Sequence, residues 1–127
     1  MRTIKFRAKN KSGEWVYGSL LTWPDGKAMV YDTLLADGSM GGHEVKPETI
    51  GQLTCLRDKK GNDIYEGDIL FFDDDEDVLE VRYVRGVFAF LWNGDLDDEF
   101  PCNAPTHEWA VVVGNIYDNP ELLNKKS

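Results

Sequence analysis

Thr54-Cys55-Leu56-Arg57-Asp58-Lys59-Lys60-Gly61-Asn62-Asp63-Ile64-Tyr65-Glu66-Gly67-Asp68 runs straight into the apolar Ile69-Leu70-Phe71-Phe72 near the middle of the chain. Asp58 to Asn62 is a polar knot centred on Gly61, a residue that takes positive φ at no steric cost. Ile64 and Tyr65 supply apolar anchors, and Gly67-Asp68 makes a second bend before a run of strand character. Two tight turns pinned by an aromatic and followed by a buried strand describe a corner where two sheets meet. The acids fit that role: Asp58 closes an Asx-type turn over Lys60 or Gly61, and Asp68 accepts backbone N–H bonds beside Gly67. As chemistry, Asp58, Asp63, Glu66 and Asp68 would be paired carboxylates for acid/base work. Turn architecture explains them more cheaply. Asp58, Gly61, Tyr65, Gly67 and Asp68 are therefore expected to form a structural corner, with no catalytic residue among them.

On the C-terminal side of this corner the pattern is regular. Asp68–Phe72, Val78–Val84, Gly86–Trp92 and Trp109–Val113 are rich in β-branched and aromatic residues. Turn-forming stretches separate them, and Asn93-Gly94 is the strongest hairpin signal because both central residues of such a turn need positive φ. Short strands at close intervals predict a small barrel of SH3-like dimensions. Asn119 as cap and Pro120 at the first helical position predict one helical turn that docks Leu122 and Leu123.

On the N-terminal side, Ile4, Phe6 and Ala8 alternate with Lys5, Arg7 and Lys9, a half-buried strand with one basic face. Asn10-Lys11-Ser12-Gly13 turns it into a second strand through Trp15, Tyr17 and Leu21. Pro24-Asp25-Gly26 leads to a short strand at Ala28–Tyr31. Asp37–Gly42 reads as a mobile loop, and Pro47–Leu53 as a strand or one helical turn. The expected organisation is mainly β: an irregular N-terminal lobe over 1–53, then the corner and SH3-like barrel over 54–127, the whole forming one compact unit.

The formal net charge of −9 disfavours nucleic acid and anionic lipid as partners unless basic residues cluster. Basic residues gather only near the start, at Arg2, Lys5, Arg7, Lys9 and Lys11, and at the end, at Lys125-Lys126, and the N-terminal basic face is the one candidate nucleic-acid footprint. Trp15, Tyr17, Trp23, Trp92 and Trp109 could stack bases, but most of these rings are expected in the core. No apolar run approaches membrane-spanning length and no signal-peptide core opens the chain. Two cysteines point to a reduced, cytoplasmic setting. Asp73–Asp77, with Asp95, Asp97, Asp98 and Glu99, has carboxylates for a divalent cation, but the spacing is wrong for an EF-hand loop and solvated turns account for it. Cys55, Cys102, His43 and His107 are scattered singly rather than in the close pairs of structural zinc sites. Buried thiols and surface imidazoles are the expectation, with no metal and no cofactor. A Cys102–His107 nucleophile pair lacks anything to position it. Trp23, between Thr22 and Pro24, is the aromatic residue expected to be exposed and to touch a protein partner.

The central stretch resembles the signature of the YopX family, in which a Thr-Gly-Leu-x-Asp-Lys-x-Gly pattern leads into Ile-Tyr-Glu-Gly-Asp. Ile4-Lys5-Phe6-Arg7-Ala8 and Val113-Gly114-Asn115-Ile116-Tyr117-Asp118-Asn119-Pro120-Glu121-Leu122-Leu123 agree with the same family, in family order. Cys55 stands where the family usually has Gly and is expected to be accommodated at negative φ. The resemblance implies a small protein encoded by a phage or prophage, acting in the cytoplasm of a bacterial host, and brings no catalytic residue with it. The expected function is a non-enzymatic protein-interaction module that forms homo-oligomers through exposed edge strands. The alternative is a nucleic-acid-binding accessory protein that uses the basic N-terminal strand face.

Overall fold

The computed structural model describes residues 4–72, 78–95, 99–101 and 110–124. The chain is mainly β and divides into two compact units, Met1–Leu53 and Thr54–Ser127. All strand pairs are antiparallel and form two sheets.

In the first unit β1 (Phe6–Lys9), β2 (Trp15–Thr22), β3 (Ala28–Leu34) and β4 (Met40–Val45) precede a 3-10 turn at Pro47–Thr49 and the start of β5 (Gly51–Arg57). Their hydrogen-bonded order is β4-β3-β2-β1-β5. The turns are made by short polar side chains. Asn10 Oδ1 accepts the N–H groups of Ser12 and Glu14, and Asp25 Oδ1 accepts that of Lys27. Ala8, Val16, Ala28, Val30 and Val45 form the core, with Leu20 and Ile50 packed against it. Buried Thr49 accepts the Lys9 N–H at 2.8 Å and donates to the Lys46 carbonyl at 2.7 Å, fastening the 3-10 turn to β1. Only part of the expected loop is irregular, because Met40-Gly41-Gly42 belongs to β4 and pairs with Leu34, Thr33 and Tyr31.

In the second unit the end of β5 pairs with β6 (Asp63–Tyr65). The other sheet contains β7 (Asp68–Phe72), β8 (Val78–Val84), β9 (Val87–Trp92), β10 (Glu99–Pro101) and β11 (Ala110–Asn115), in the order β10-β9-β8-β7-β11. Ile64, Leu70, Leu79, Val81, Phe90 and Ala110 are its core, flanked by Leu56, Trp92 and Val112. Full burial of each large aliphatic or aromatic side chain there contributes about 1.5–3 kcal/mol. The expected barrel is not closed: β10 and β11 are the outer strands and do not pair among the described residues. β10 has only three residues and ends at Pro101, which has no N–H to offer a further strand.

The two-residue hairpin lies at Arg85-Gly86 rather than at Asn93-Gly94. Val84 pairs with Val87, and Arg85 and Gly86 have φ of 50° and 86°. Asn93 and Gly94 also have positive φ but open the longer connection to β10. The C-terminal turn forms as a 3-10 helix over Pro120–Asn124. Asn119 does not cap it through its side chain. Its Oδ1 instead accepts the Asn115 N–H at 3.3 Å, in space that a Cβ on Gly114 would occupy.

Candidate functional site

The central corner is built around Asp58, which is only 2% exposed. Its Oδ1 accepts the N–H groups of Lys60 at 2.9 Å and Asn62 at 2.8 Å. Its Oδ2 accepts the Asn62 amide at 3.3 Å and the Val112 N–H at 3.0 Å. Burial alone would push this carboxyl up, but the four donors together hold it below its ordinary value. Gly61 closes the turn with φ of 85°. Lys59 N–H donates to the Ala110 carbonyl, so the turn is tied to β11 by backbone and side chain alike.

The second bend is tied in the same manner. Buried Asp68 accepts the Tyr65 N–H through Oδ2 at 2.7 Å. Gly67, with φ of 94°, donates its N–H to the Val81 carbonyl and accepts from the Ile116 N–H. Ile64 and Tyr65 are both buried. Apart from the Asn62 amide, the contacts named above are with backbone N–H and C=O groups. Among the described residues no three His, Cys, Asp or Glu side chains converge as a metal site requires.

Cys55 departs from both expectations made for it. It is exposed rather than buried, and its φ is 69° rather than negative. The corner demands a left-handed residue at this point of β5, and cysteine complies at a steric cost that glycine would not bear. Cys55→Gly is expected to raise stability by about 0.5–1 kcal/mol, because relief of the left-handed strain exceeds the added freedom of the unfolded chain. Thermal unfolding of the two proteins under reducing conditions checks this; an unchanged or lower midpoint for the variant contradicts it.

Lys5, Arg7 and Lys9 lie in a row with the aromatic residues of β2. Arg7 and Lys9 pair in register with Tyr17 and Trp15. Arg7 Cζ stands 4.6 Å from the Trp15 ring centroid, Lys9 Nζ 5.5 Å from the same ring, and Lys5 Nζ 5.8 Å from that of Tyr17. Each distance is within cation–π range. Arg7 is nearly buried at 6% exposure, whereas Tyr17 is exposed. Lys11 sits apart from the row, 3.7 Å from Glu44 in an exposed pair. Trp23 is exposed at the end of β2, and its N–H and carbonyl close the turn to Lys27 and Gly26.

His43 Nε2 lies 3.0 Å from Asp32 Oδ2. Asp73–Asp77, Asp97, Asp98, Cys102 and His107 lie outside the described residues.

Glu80 escaped the sequence reading. It is 1% exposed at the centre of β8, in register with Ile69 of β7 and Leu91 of β9. Its Oε2 accepts from Arg82 Nη2 at 2.6 Å and Nε at 2.7 Å, while Oε1 is buried with no hydrogen-bond partner among the described residues. Burial pushes its carboxyl up, against the pull of the Arg82 guanidinium. The signal was present in Val78-Leu79-Glu80-Val81-Arg82-Tyr83: strand period places Glu80 and Arg82 on one face, opposite the core residues Leu79 and Val81. Burial of that second face depends on residues more than ten positions away.

The sequence profile of the YopX protein family matches residues 5–124. Two solved structures are similar over almost the whole chain. Protein EF1440 from Enterococcus faecalis is 26% identical, with a TM-score of 0.61 over 95% of this chain and 98% of that one. Protein yopX from Bacillus subtilis is 24% identical, with a TM-score of 0.58 over 97% of each chain, a likeness of fold. No curated protein matches.

Proposed function

The chain belongs to the YopX family, and on that premise we propose that it is a non-enzymatic interaction module of a phage or prophage, working in the bacterial cytoplasm through protein contacts and self-association. The observation that carries this reading is the open edge of the first sheet. β4 is the outer strand there; its end is bridged at Val45 to Asn10, while Met40-Gly41-Gly42-His43 has no partner strand on its outer side among the described residues and none of the Lys or Pro residues with which proteins blunt an edge. Its two glycines leave the backbone accessible to another strand. Exposed large apolar groups accompany it in the same unit: Ile4, Tyr17, Leu21, Trp23, Leu35 and Met40. The second unit supplies an SH3-like scaffold in this reading, a meander of β7 to β10 with β11 returning beside β7.

Light scattering over a concentration series tests the reading. The mass is expected to rise with concentration, and Met40→Lys is expected to weaken association by about tenfold by placing a charge on the edge. A wild-type chain that stays monomeric throughout removes self-association from the reading. One observation favours a second reading, nucleic-acid binding: the cation–aromatic row of Lys5, Arg7, Lys9, Trp15 and Tyr17. Along the sequence, most of the acidity falls in the second unit. Residues 1–53 contain seven Lys or Arg against six Asp or Glu, and residues 54–127 seven against seventeen. A monomer that gave a salt-sensitive gel shift with single-stranded DNA would transfer the assignment to this second class.

A further inference from the structure

We propose that Glu80 is a proton-operated latch on the C-terminal 3-10 turn: the turn is held down over β8 when the carboxyl is protonated and loosened when it is ionised. The geometry starts at Gly94. A Cβ placed there would lie 3.0 Å from Glu80 Oε1 and 3.3 Å from Leu123 Cδ1, so the unpartnered oxygen and the leucine of the C-terminal turn meet at this glycine. The Arg82 guanidinium satisfies only the other oxygen. An ionised carboxylate in this position keeps one oxygen dry, which costs free energy that hydration would return. Lifting Leu123 would bring water to it without breaking the ladders that fix β7 and β9 to β8.

The surrounding groups reinforce the effect. Arg82 is the cation facing Glu80. Neither Ile69 from β7 nor Leu91 and Ala89 from β9 carries charge. Asp68 of β7 turns its carboxylate to the Tyr65 N–H. Among the described residues, Asp95 follows Gly94 and Glu121 lies in the C-terminal turn, and both are acids. Acids favour the protonated form of a neighbouring carboxyl. The sign follows. Burial raises the folded-state pKa, so the closed turn binds the proton more tightly than the open one. The closed state is therefore favoured below the open-state pKa and loses that advantage as the pH rises through the closed-state value.

Amide hydrogen exchange of Leu122 and Leu123, corrected for the intrinsic pH dependence and followed from about pH 4.5 to 8, tests the latch. Protection should fall as the pH rises, by about tenfold for each pKa unit separating the closed and open states, in step with the Glu80 side-chain carbon shift. Glu80→Gln should abolish the pH dependence, and Glu80→Leu should give high protection at every pH. The proposal is overturned if Glu80 titrates while protection stays constant, or if the pH dependence survives in both variants. Should either variant fail to fold, the wild-type comparison of side-chain titration with protection still decides.

Discussion

Replacing Asp58 by alanine is expected to destabilise the second unit by about 3–5 kcal/mol, the largest effect of any single side chain in the central corner. The carboxylate accepts four hydrogen bonds, and three of the donors are backbone N–H groups. Hydrogen bonds to a charged acceptor contribute about 1.5–3 kcal/mol each, and a buried donor left unsatisfied costs about 1–3 kcal/mol. Water can reach the exposed Lys60 and Asn62 once the side chain is gone, so the full sum is not realised. The Val112 bond is the decisive one. It joins positions 54 residues apart, holding the turn after β5 against β11, and no neighbouring side chain can replace it. Asp58→Asn should retain roughly half the loss, because its amide nitrogen cannot accept from Val112 while its oxygen still serves the turn. The pH dependence has a definite sign. The folded-state pKa is depressed below 3.8, so the stabilisation is complete above that value and is lost as the pH falls through the folded one. Denaturant unfolding should show a constant difference between wild type and Asp58→Ala from neutrality to about pH 4, shrinking below it. A loss under about 1 kcal/mol at neutral pH would show that the corner is held by its backbone bonds alone.

The bond that Asp58 accepts from Val112, 54 residues on, has no local signature, but its turn bonds were readable because they are local: an acid two residues before Lys60 and three before Gly61 signals an Asx turn. The same holds for Asn10 and Asp25, whose side chains bond within four residues of themselves. Alternation of Phe6 and Ala8 with Lys5, Arg7 and Lys9 likewise fixed β1 and its basic row. What was not readable lies across the chain. That β1 pairs with β5 as well as with β2 depends on Phe6 meeting Gln52, a contact with no sequence signature. Barrel closure failed for a related reason, since strand spacing counts strands but does not say which edges meet. Cys55 was misjudged because its left-handed backbone is imposed by the corner rather than chosen by the residue. Glu80 was missed because a charged residue in a strand ordinarily faces water, and the burial of this one comes from residues distant in sequence, Gly94 and Leu123 among them.

Gly18→Ala is the second substitution with a large expected effect, about 3 kcal/mol, and it acts on the first unit. β2 changes partner at this residue: Trp15–Gly18 pair with β1, and Ser19–Thr22 pair with β3. To pass from one neighbour to the other, its backbone comes very close to β3, where the register also shifts between Tyr31 and Thr33. A Cβ on Gly18 would collide with the Tyr31 carbonyl oxygen and lie 2.9 Å from its carbon and 3.2 Å from Asp32 Cα. All three are backbone atoms, so no rotamer change relieves the overlap. The variant must separate β2 from β3, which breaks ladder bonds and opens the core around Val30 and Leu20. Gly13→Ala provides the comparison. Gly13 also has positive φ, at 87°, but nothing lies within 4 Å of its added Cβ, so only the left-handed penalty of about 1 kcal/mol applies. Chemical denaturation of both variants should therefore separate them by about 2 kcal/mol. Equal losses would mean that conformational freedom, not the close approach of β3, is why glycine stands at position 18.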